Sequence, residues 1–260
     1  MQMNNRDGRL MALVPSMGHA SLPQLNGLFL REPPPACGLS LTGYNGGRVP
    51  CPKWTRLRGY TSNMLNKLED GWIIPTKLPS TQTFAGGEAT NLNGATILEY
   101  WQWAYSGTVG NTDRGNLAEF LVAKALAIAT DVRNHWADFD LTTTDGTKIE
   151  VKSSAFVQSW KQVRIYPPRF SIKKTLPTWD YASTTKQRYA DVYVFCLLAH
   201  LDKETVNPMD VSQWEFYALR TDVIDRDFGD AQSISLGDLR SRSNQYSYSA
   251  LRQGVQDLTG

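Results

Sequence analysis

The sequence has few of the residues that build disulfide frameworks, zinc sites or membrane spans. Only three cysteines occur among the 260 residues, Cys37, Cys51 and Cys196, and none forms a CxxC pair or a cluster with histidine. An odd and scattered set of cysteines argues against both a disulfide framework and a structural zinc site. No apolar run approaches the roughly 18 residues that a transmembrane helix needs, and no basic segment followed by an apolar one opens the chain. We therefore expect a cytoplasmic protein with no membrane partner.

Nucleotide-binding loops are also missing. Neither GxxxxGK[ST] nor GxGxxG occurs, which argues against a nucleotide-driven motor or a dinucleotide-dependent enzyme. The three histidines have no evident partners, so a mechanism based on histidine has little support. By contrast, 41% of the residues are hydrophobic and 11% are aromatic, which is ample for a packed core.

The regularity of the pattern divides the chain. Residues 1–62 are rich in Gly, Pro, Asn and Ser and show no sustained period, so they predict an irregular N-terminal extension with loops, short elements or partial disorder. Residues 63–260 predict one domain, with its core at about 113–200. The number of residues fits one large domain with an extension.

The net charge of +2 conceals a strongly basic block. From Lys148 to Arg188 there are nine basic residues and two acidic ones, whereas from His200 to Arg240 there are nine acidic residues and four basic ones. A basic block suits a polyanionic partner. The expected nucleic-acid-binding residues are Lys161, Arg164, Arg169, Lys173 and Lys174.

The segment Trp136–Lys152, WADFDLTTTDGTKIEVK, predicts a two-stranded hairpin, with strands at about 136–143 and 147–154. Its turn is Asp145-Gly146, a strong hairpin signal between alternating apolar residues. Because side chains alternate along a strand, Glu150 and Lys152 share the face opposite Ile149 and Val151. Asp140, between two apolar neighbours on the first strand, is expected to join them.

Two helices are predicted before this hairpin. The aromatic-rich residues 95–105 favour a helix, with a strand as the alternative, and a second, mostly apolar helix follows. Residues 113–130 have helical periodicity, with Asn116 or Asp113 as the cap, and they include one acid, Glu119, on a largely buried surface. A buried carboxylate is usually paired or bound to metal. Downstream patterns predict a third strand near 163–173, a short helix within 177–190 and a buried strand at 191–198. The predicted fold class is mixed α/β, with an αβββαβ core around a mixed central sheet.

The combination of two carboxylates and an ammonium group on one hairpin fits hydrolysis of a phosphodiester. Such a reaction needs a site for a divalent metal, a positioned water and compensation for charge on the phosphate. Mg²⁺ prefers oxygen ligands and keeps several waters, so Asp140, Glu150 and the carbonyl of Val151 form a sufficient set, with Mn²⁺ as an alternative ion. Lys152 would orient the water, and Glu119 could reach the same metal.

These residues resemble the PD-(D/E)xK nuclease superfamily, which has the restriction-endonuclease-like fold. Asp140 corresponds to the motif's Asp, Glu150 to its (D/E) and Lys152 to its Lys, although Phe139 stands where the motif has Pro. Glu119 is similar to the helix glutamate of branches related to Holliday-junction resolvases, and Gln158 or Gln162 to a glutamine that some branches place near the site. The resemblance implies a Mg²⁺-dependent endonuclease acting on DNA, and it covers about 85 residues. Because cleavage of both strands of a duplex often uses two sites, a homodimer is one expectation.

Several alternatives stay open at the level of sequence. Asp138 shares a face with Asp140 and competes with it as the first ligand, and Glu119 could instead pair with Lys124. Trp160 and Lys161 could contact nucleic acid, although a core position is favoured for Trp160. The basic block could be a solvated surface, and Arg188 and Asp191 could form a structural pair. In another class of function, the domain would be a nucleic-acid-binding module without catalysis, or a structural protein without nucleic-acid affinity.

Overall fold

A four-stranded sheet built around the apolar segment Val192–Leu198 positions every residue of the candidate site. The computed structural model describes residues 66–69, 72–86, 89–129, 131–134, 136–178, 180 and 182–260. The described residues belong to the unit Ser62–Gly260. The predicted N-terminal extension lies outside the described residues, so its boundary stays a prediction.

The elements follow one another along the chain in a mixed α/β order. The strands and helices of the described residues are β1 (Asn66–Glu69), β2 (Trp72–Pro75), α1 (Ile97–Tyr105), α2 (Asn111–Ala125), β3 (Leu141–Thr142), β4 (Lys148–Ala155), β5 (Arg169–Ser171), β6 (Val192–Leu198), β7 (Trp214–Arg220), α3 (Thr221–Phe228), β8 (Ser233–Ser235), α4 (Leu236–Arg240) and α5 (Leu251–Thr259). Within these residues, we find no helix with the length and apolar character required to traverse a lipid bilayer.

The central sheet has the strand order β3-β4-β6-β7 and is mixed. β4 and β6 run parallel, while β3 pairs with β4 and β7 pairs with β6 in antiparallel fashion. All seven residues of β6 are buried, as expected for a central strand that is covered on both faces. The predicted fold class, mixed α/β around a mixed central sheet, is confirmed.

Each face of the sheet has its own hydrophobic core. On one face, α2 and α5 pack against Ile149, Val151 and the even-numbered residues of β6. On the other face, β5, α3, β8 and α4 pack against Tyr193, Phe195 and Leu197. Because side chains alternate along β4, Glu150 and Lys152 lie on this second face.

The helices agree with the sequence patterns, but their ends differ. α1 is the helix expected over 95–105, and Thr96 caps it in a capping box with Glu99. α2 begins at Asn111 after Gly110, rather than at a side-chain cap from Asp113 or Asn116, and it ends at Ala125 instead of residue 130. Ala127 has a φ of 60°, a left-handed conformation that an α-helix does not accommodate.

The predicted third strand of the central sheet is wrong. Only Arg169–Ser171 is a strand there, and it pairs with β8 in a separate two-stranded sheet. Val163 is 99% exposed, and Ile165 is also exposed. Pro167 and Pro168 lack the N–H groups that would extend the strand toward them. The short helix expected within 177–190 is also wrong for the described residues of that range. The predicted αβββαβ order is therefore incomplete, because the third strand has left the sheet and the last strand follows without a helix.

The first strand of the predicted hairpin is much shorter than expected. It was predicted over about 136–143, but β3 consists of Leu141 and Thr142 alone, whereas β4 agrees closely with its predicted bounds. Trp136 is exposed, and the Asp138 carboxylate accepts a hydrogen bond from the Thr178 N–H at 2.6 Å, so this segment follows a loop rather than β4. Most of one edge of β4 is consequently left uncovered by β3.

Candidate active site

The Asp145-Gly146 turn sets the register that places Asp140 beside β4. Gly146 has a φ of 89°, which favours glycine, and the Thr143 N–H donates to the Thr147 carbonyl across the turn. The resulting register pairs Leu141 with Ile149. Asp140 therefore directly precedes Leu141, the first residue of β3.

The carboxylate of Asp140 takes the place of a strand partner. Its Oδ2 accepts a hydrogen bond from the backbone N–H of Val151 at 2.8 Å. Because the N–H and C=O of a strand residue point toward the same neighbour, the Val151 carbonyl faces this same edge of β4. The edge that β3 does not cover thus holds a carboxylate and a backbone oxygen side by side.

Glu150 and Lys152 extend from β4 on the face of Tyr193 and Phe195, their register partners in β6. The Lys152 ammonium donates a hydrogen bond to Glu150 Oε1. The side chain of Glu150 is 17% exposed and that of Lys152 is 27% exposed, so both groups are sheltered but remain accessible to solvent. The sequence prediction that these two side chains share one face is confirmed.

Glu119 reaches the same region from α2. Its carboxylate is buried and accepts two hydrogen bonds from Arg133, one of them from Nη2 to Oε1 at 2.7 Å. The same Nη2 lies 4.0 Å from Asp140 Oδ1. Arg133 therefore connects the helix glutamate with the hairpin aspartate. The alternative pairing of Glu119 with Lys124 does not occur, because Lys124 lies over the ring of Phe120.

Arg133 is the residue of this site that sequence reasoning missed. It lies in an irregular segment after α2, where neither periodicity nor a motif marks it. The available signal was indirect. A carboxylate on a buried helix face requires a cationic partner or a metal, and that partner need not be close in sequence.

The electrostatics show that the carboxylates influence one another. Burial raises the pKa of Glu150 above its ordinary value, and the negative charges of Asp140 and Glu119 raise it further, while Lys152 opposes the shift. Burial also raises the pKa of Glu119, with Asp140 adding to this effect and Arg133 opposing it. Burial and the charge of Glu150 raise the pKa of Tyr193. Negative charge is thus concentrated at a sheltered edge, where an additional cation would be stabilised.

The donor set fits a magnesium ion that keeps several waters. In the part of the chain that the structure describes, no three His, Cys, Asp or Glu side chains are grouped so that they could hold a metal by themselves. Mg²⁺ is commonly bound through one or two carboxylates, with water and substrate oxygens completing its shell. Asp140, Glu150 and the Val151 carbonyl satisfy this smaller requirement. Glu119 is already bound by Arg133, which favours an indirect role for it.

A cavity of about 440 Å³ opens beside these residues. Glu119, Arg133 and Asp140 contribute its polar wall, and Phe120 and Val132 are among its apolar residues. The cavity gives a solvent-accessible approach to the Asp140 side of the site.

The rival candidates have structural roles. Asp138 binds the Thr178 N–H, which favours Asp140 as the site's first carboxylate. Arg188 is buried and pairs with Asp225 rather than Asp191, so the expected Arg188–Asp191 pair is wrong. Asp191 instead accepts a hydrogen bond from the Lys148 N–H at the start of β4.

The five predicted nucleic-acid-binding residues are not equivalent. Lys161, Arg164 and Lys173 are exposed and form no ion pair with another described residue. Arg164 lies over the ring of Tyr166, 4.6 Å from its centroid. Arg169 donates to Ser233, and Lys174 forms an ion pair of 2.9 Å with Asp230. Part of the basic block is therefore occupied by the acidic segment that follows it.

Comparison with known families adds an independent finding. The model of the family described as bacteriophage T4 endonuclease IV matches residues 96–236, more than half of the chain. The match includes Glu119, Asp140, Glu150 and Lys152, together with all four strands of the central sheet. The curated proteins contain no significant match to this chain.

Proposed function

The chain belongs to the bacteriophage T4 endonuclease IV family, and we propose from this premise that it is a metal-dependent endonuclease that hydrolyses phosphodiester bonds of DNA. The observation that carries the proposal is that Asp140 binds the edge of β4 at Val151, between Glu150 and Lys152, which share one face of that strand. The arrangement supports the resemblance to the PD-(D/E)xK superfamily, which family membership by itself does not establish.

In this proposal, Asp140, Glu150 and the Val151 carbonyl hold Mg²⁺, and Mn²⁺ is an alternative. The chemistry that a bound divalent cation supplies is a lower pKa for a coordinated water and compensation of phosphate charge. Lys152 donates a hydrogen bond that orients the attacking water, and the Glu150 carboxylate holds the ammonium group in place. The shelter of the site strengthens these electrostatic interactions.

Glu119 acts as a positioning residue rather than as a direct ligand. It holds the Arg133 guanidinium, which in turn lies near Asp140 Oδ1. The position of the Asp140 carboxylate consequently depends on a residue of α2. Lys161, Arg164 and Lys173 are the cations available to hold the DNA backbone, with Arg169 and Lys174 partly engaged by protein groups.

The first experiment measures cleavage of plasmid and single-stranded DNA by the full chain in Mg²⁺, in Mn²⁺ and in EDTA. We expect cleavage only with a divalent ion. Glu150→Gln and Lys152→Ala should each reduce the rate by about 100-fold or more, the order of effect seen when a general acid–base or charge-stabilising group is removed. Glu204→Gln, which changes an exposed glutamate elsewhere, is the matched control and should cleave normally.

Undiminished cleavage by both variants would overturn the assigned mechanism. If the wild-type protein binds DNA in a salt-sensitive manner but never cleaves it, and Glu150→Gln binds equally well, the chain is a binding module without catalysis. Circular dichroism of each variant separates loss of chemistry from loss of fold.

A further inference from the structure

A second cavity, of about 450 Å³, lies farther along β4 from the proposed cleavage site. Ser154 and Ala155 at the end of β4 form one side of it, and the loop that leads to β5 forms the rest. Ser154 is two residues beyond Lys152 and shares its face of the strand. The cavity therefore begins about 7 Å from the Lys152 position, the rise of two strand residues.

Gln158 is among the residues that line this cavity, and its side-chain amide is fixed by the end of β4. Its Nε2 donates to the Ala155 carbonyl at 2.8 Å, which fixes the side-chain amide, because the reverse orientation would place two oxygens against each other. The Oε1 atom has no hydrogen-bond partner. Among the described residues, it is the one buried side-chain nitrogen or oxygen atom without a partner. Buried polar atoms are normally paired, and because this oxygen lies below the cavity surface, a ligand in the cavity would reach it only after the loop moves.

The loop holds Gln158 in a defined position. The Gln158 backbone N–H donates to Gln162 Oε1 at 2.7 Å, and Gln162 Nε2 donates to the Phe156 carbonyl at 3.1 Å. These bonds connect the two glutamines to the end of β4. The acceptor is thus part of an organised loop whose side-chain amides are both engaged.

Aromatic and cationic side chains complete the cavity. Trp160 is 53% exposed and Tyr166 is 57% exposed, so the expectation that Trp160 is a core residue is wrong. Lys161 and Arg169 also line the cavity, and no acidic residue is among its described lining. Exposed aromatic rings offer stacking surfaces to bases, and nearby cations attract phosphates.

We propose that this cavity binds a nucleobase of the strand held at the cleavage site. The base lies outside its stack and contacts the exposed Trp160 ring, and the neighbouring phosphates lie near Lys161 and Arg169. A base within a duplex cannot offer its face in this way without being extruded. The inference rests on the proposed function, because it assumes that the polymer bound beside β4 is DNA. It adds a contact to a base, whereas the cleavage mechanism needs contacts to the DNA backbone alone.

The test compares binding of two ten-residue strands by fluorescence anisotropy in EDTA, where cleavage does not occur. One strand is oligothymidylate and the other is abasic throughout, so the phosphates are matched. For the wild-type protein, the Kd of the abasic strand should be larger by about 5-fold or more, as expected for loss of one stacked base. Trp160→Ala should reduce this ratio and leave the Kd of the abasic strand nearly unchanged.

Trp103→Ala is the matched control, because Trp103 is 85% exposed on α1 and should not affect the ratio. A wild-type ratio near one, or an unchanged ratio in Trp160→Ala, overturns the base-binding role. The outcome is separate from the cleavage assay. If the ratio responds as expected but no variant or wild-type protein cleaves DNA, the cavity binds a base and the proposed nuclease function fails. If DNA is cleaved but the ratio of Kd values does not change in Trp160→Ala, the nuclease function stands and the base-binding role fails. Absence of binding to both strands also rejects the base-binding role.

Discussion

At the scale of single residues, the site is a set of carboxylates held by protein cations and a backbone donor. Arg133 binds Glu119, Lys152 binds Glu150, and the Val151 N–H binds Asp140. Each interaction fixes a carboxylate, but burial and, to a smaller extent, the negative charge of the neighbouring carboxylates still raise the pKa values of Glu119 and Glu150. The site therefore carries a cost to stability that function explains better than folding does.

Glu150→Gln should increase the free energy of unfolding at neutral pH while abolishing cleavage. Burial raises the pKa of Glu150, so the charged form is less favourable in the folded protein than in the unfolded chain. Stability is consequently lost as pH rises from below the ordinary glutamate pKa through the raised value. Urea unfolding in EDTA should show the variant to be more stable at pH 7.5, with the difference vanishing below about pH 4. A variant that is less stable than wild type at pH 7.5 would contradict this account of the site.

Arg133→Met should destabilise the protein because it leaves the buried Glu119 carboxylate without its two hydrogen bonds. We expect a loss of about 1–3 kcal/mol, since Arg133 is one-third exposed and solvent screens part of the interaction. Combining Arg133→Met with Glu119→Gln should recover part of this loss, because no charge then remains buried. Urea denaturation measures the effect. Arg252→Met, at an exposed position on α5, is the control and should change stability by less than about 0.5 kcal/mol.

At the scale of elements, the fold depends on how helices approach the first face of the sheet. α5 packs there through Leu251 and Val255, and the backbone at Gly254 comes close to the ring of Tyr246. A Cβ atom at Gly254 would lie 2.3 Å from that ring, whereas one at Gly115 in α2 would meet nothing within 4 Å. Alanine at Gly254 would therefore overlap a neighbouring ring, whereas alanine at Gly115 would fit without a clash.

Gly254→Ala should lower the free energy of unfolding by about 1–3 kcal/mol, because the overlap with Tyr246 outweighs the gain in helix propensity. Gly115→Ala should raise it by about 0.5–1 kcal/mol, since that gain is unopposed. Thermal or urea unfolding of the two variants gives the comparison. Equal effects at both positions would show that the close approach at Tyr246 relaxes readily.

At the scale of the whole molecule, the number of basic residues in the block Lys148–Arg188 is larger than the number of unpaired positive charges that this block places at the surface. Arg188 is buried against Asp225, and Lys174 pairs with Asp230, so acids from the downstream segment neutralise part of the basic block. Lys161, Arg164 and Lys173 are the predicted contacts that remain exposed without an ion pair among the described residues. Binding to DNA should consequently involve fewer phosphates than nine basic residues suggest.

The salt dependence of DNA binding tests this difference. Three phosphate contacts predict a slope of log K against log salt of about −2 to −3, whereas nine would predict about −6 or steeper. Anisotropy titrations in EDTA between 50 and 200 mM salt, a range over which such slopes are readily resolved, measure it. Lys173→Ala should reduce the magnitude of the slope by about one unit, and Lys174→Ala should leave it nearly unchanged.

Local patterns were sufficient for the elements whose signals are self-contained. The apolar run at 192–198 was predicted to be a buried strand because nearly every side chain in it is apolar, and α1 followed from its aromatic-rich segment. The shared face of Glu150 and Lys152 followed from alternation along β4. The third strand failed because alternation at 163–173 carries no information about where a strand would find a partner, and two prolines remove the donors it would need.

The sequence by itself determined the mixed α/β class, the strands β4 and β6 and the identity of the charged residues available for chemistry, because these depend on periodicity and residue type. Only the tertiary structure decided that Asp140 binds the edge of β4 while Asp138 binds Thr178, and that Arg133 connects Glu119 with Asp140. It also decided that Trp160 lines a cavity instead of a core. Those outcomes depend on which segments meet across long separations in the chain, and no local pattern of residues encodes such meetings.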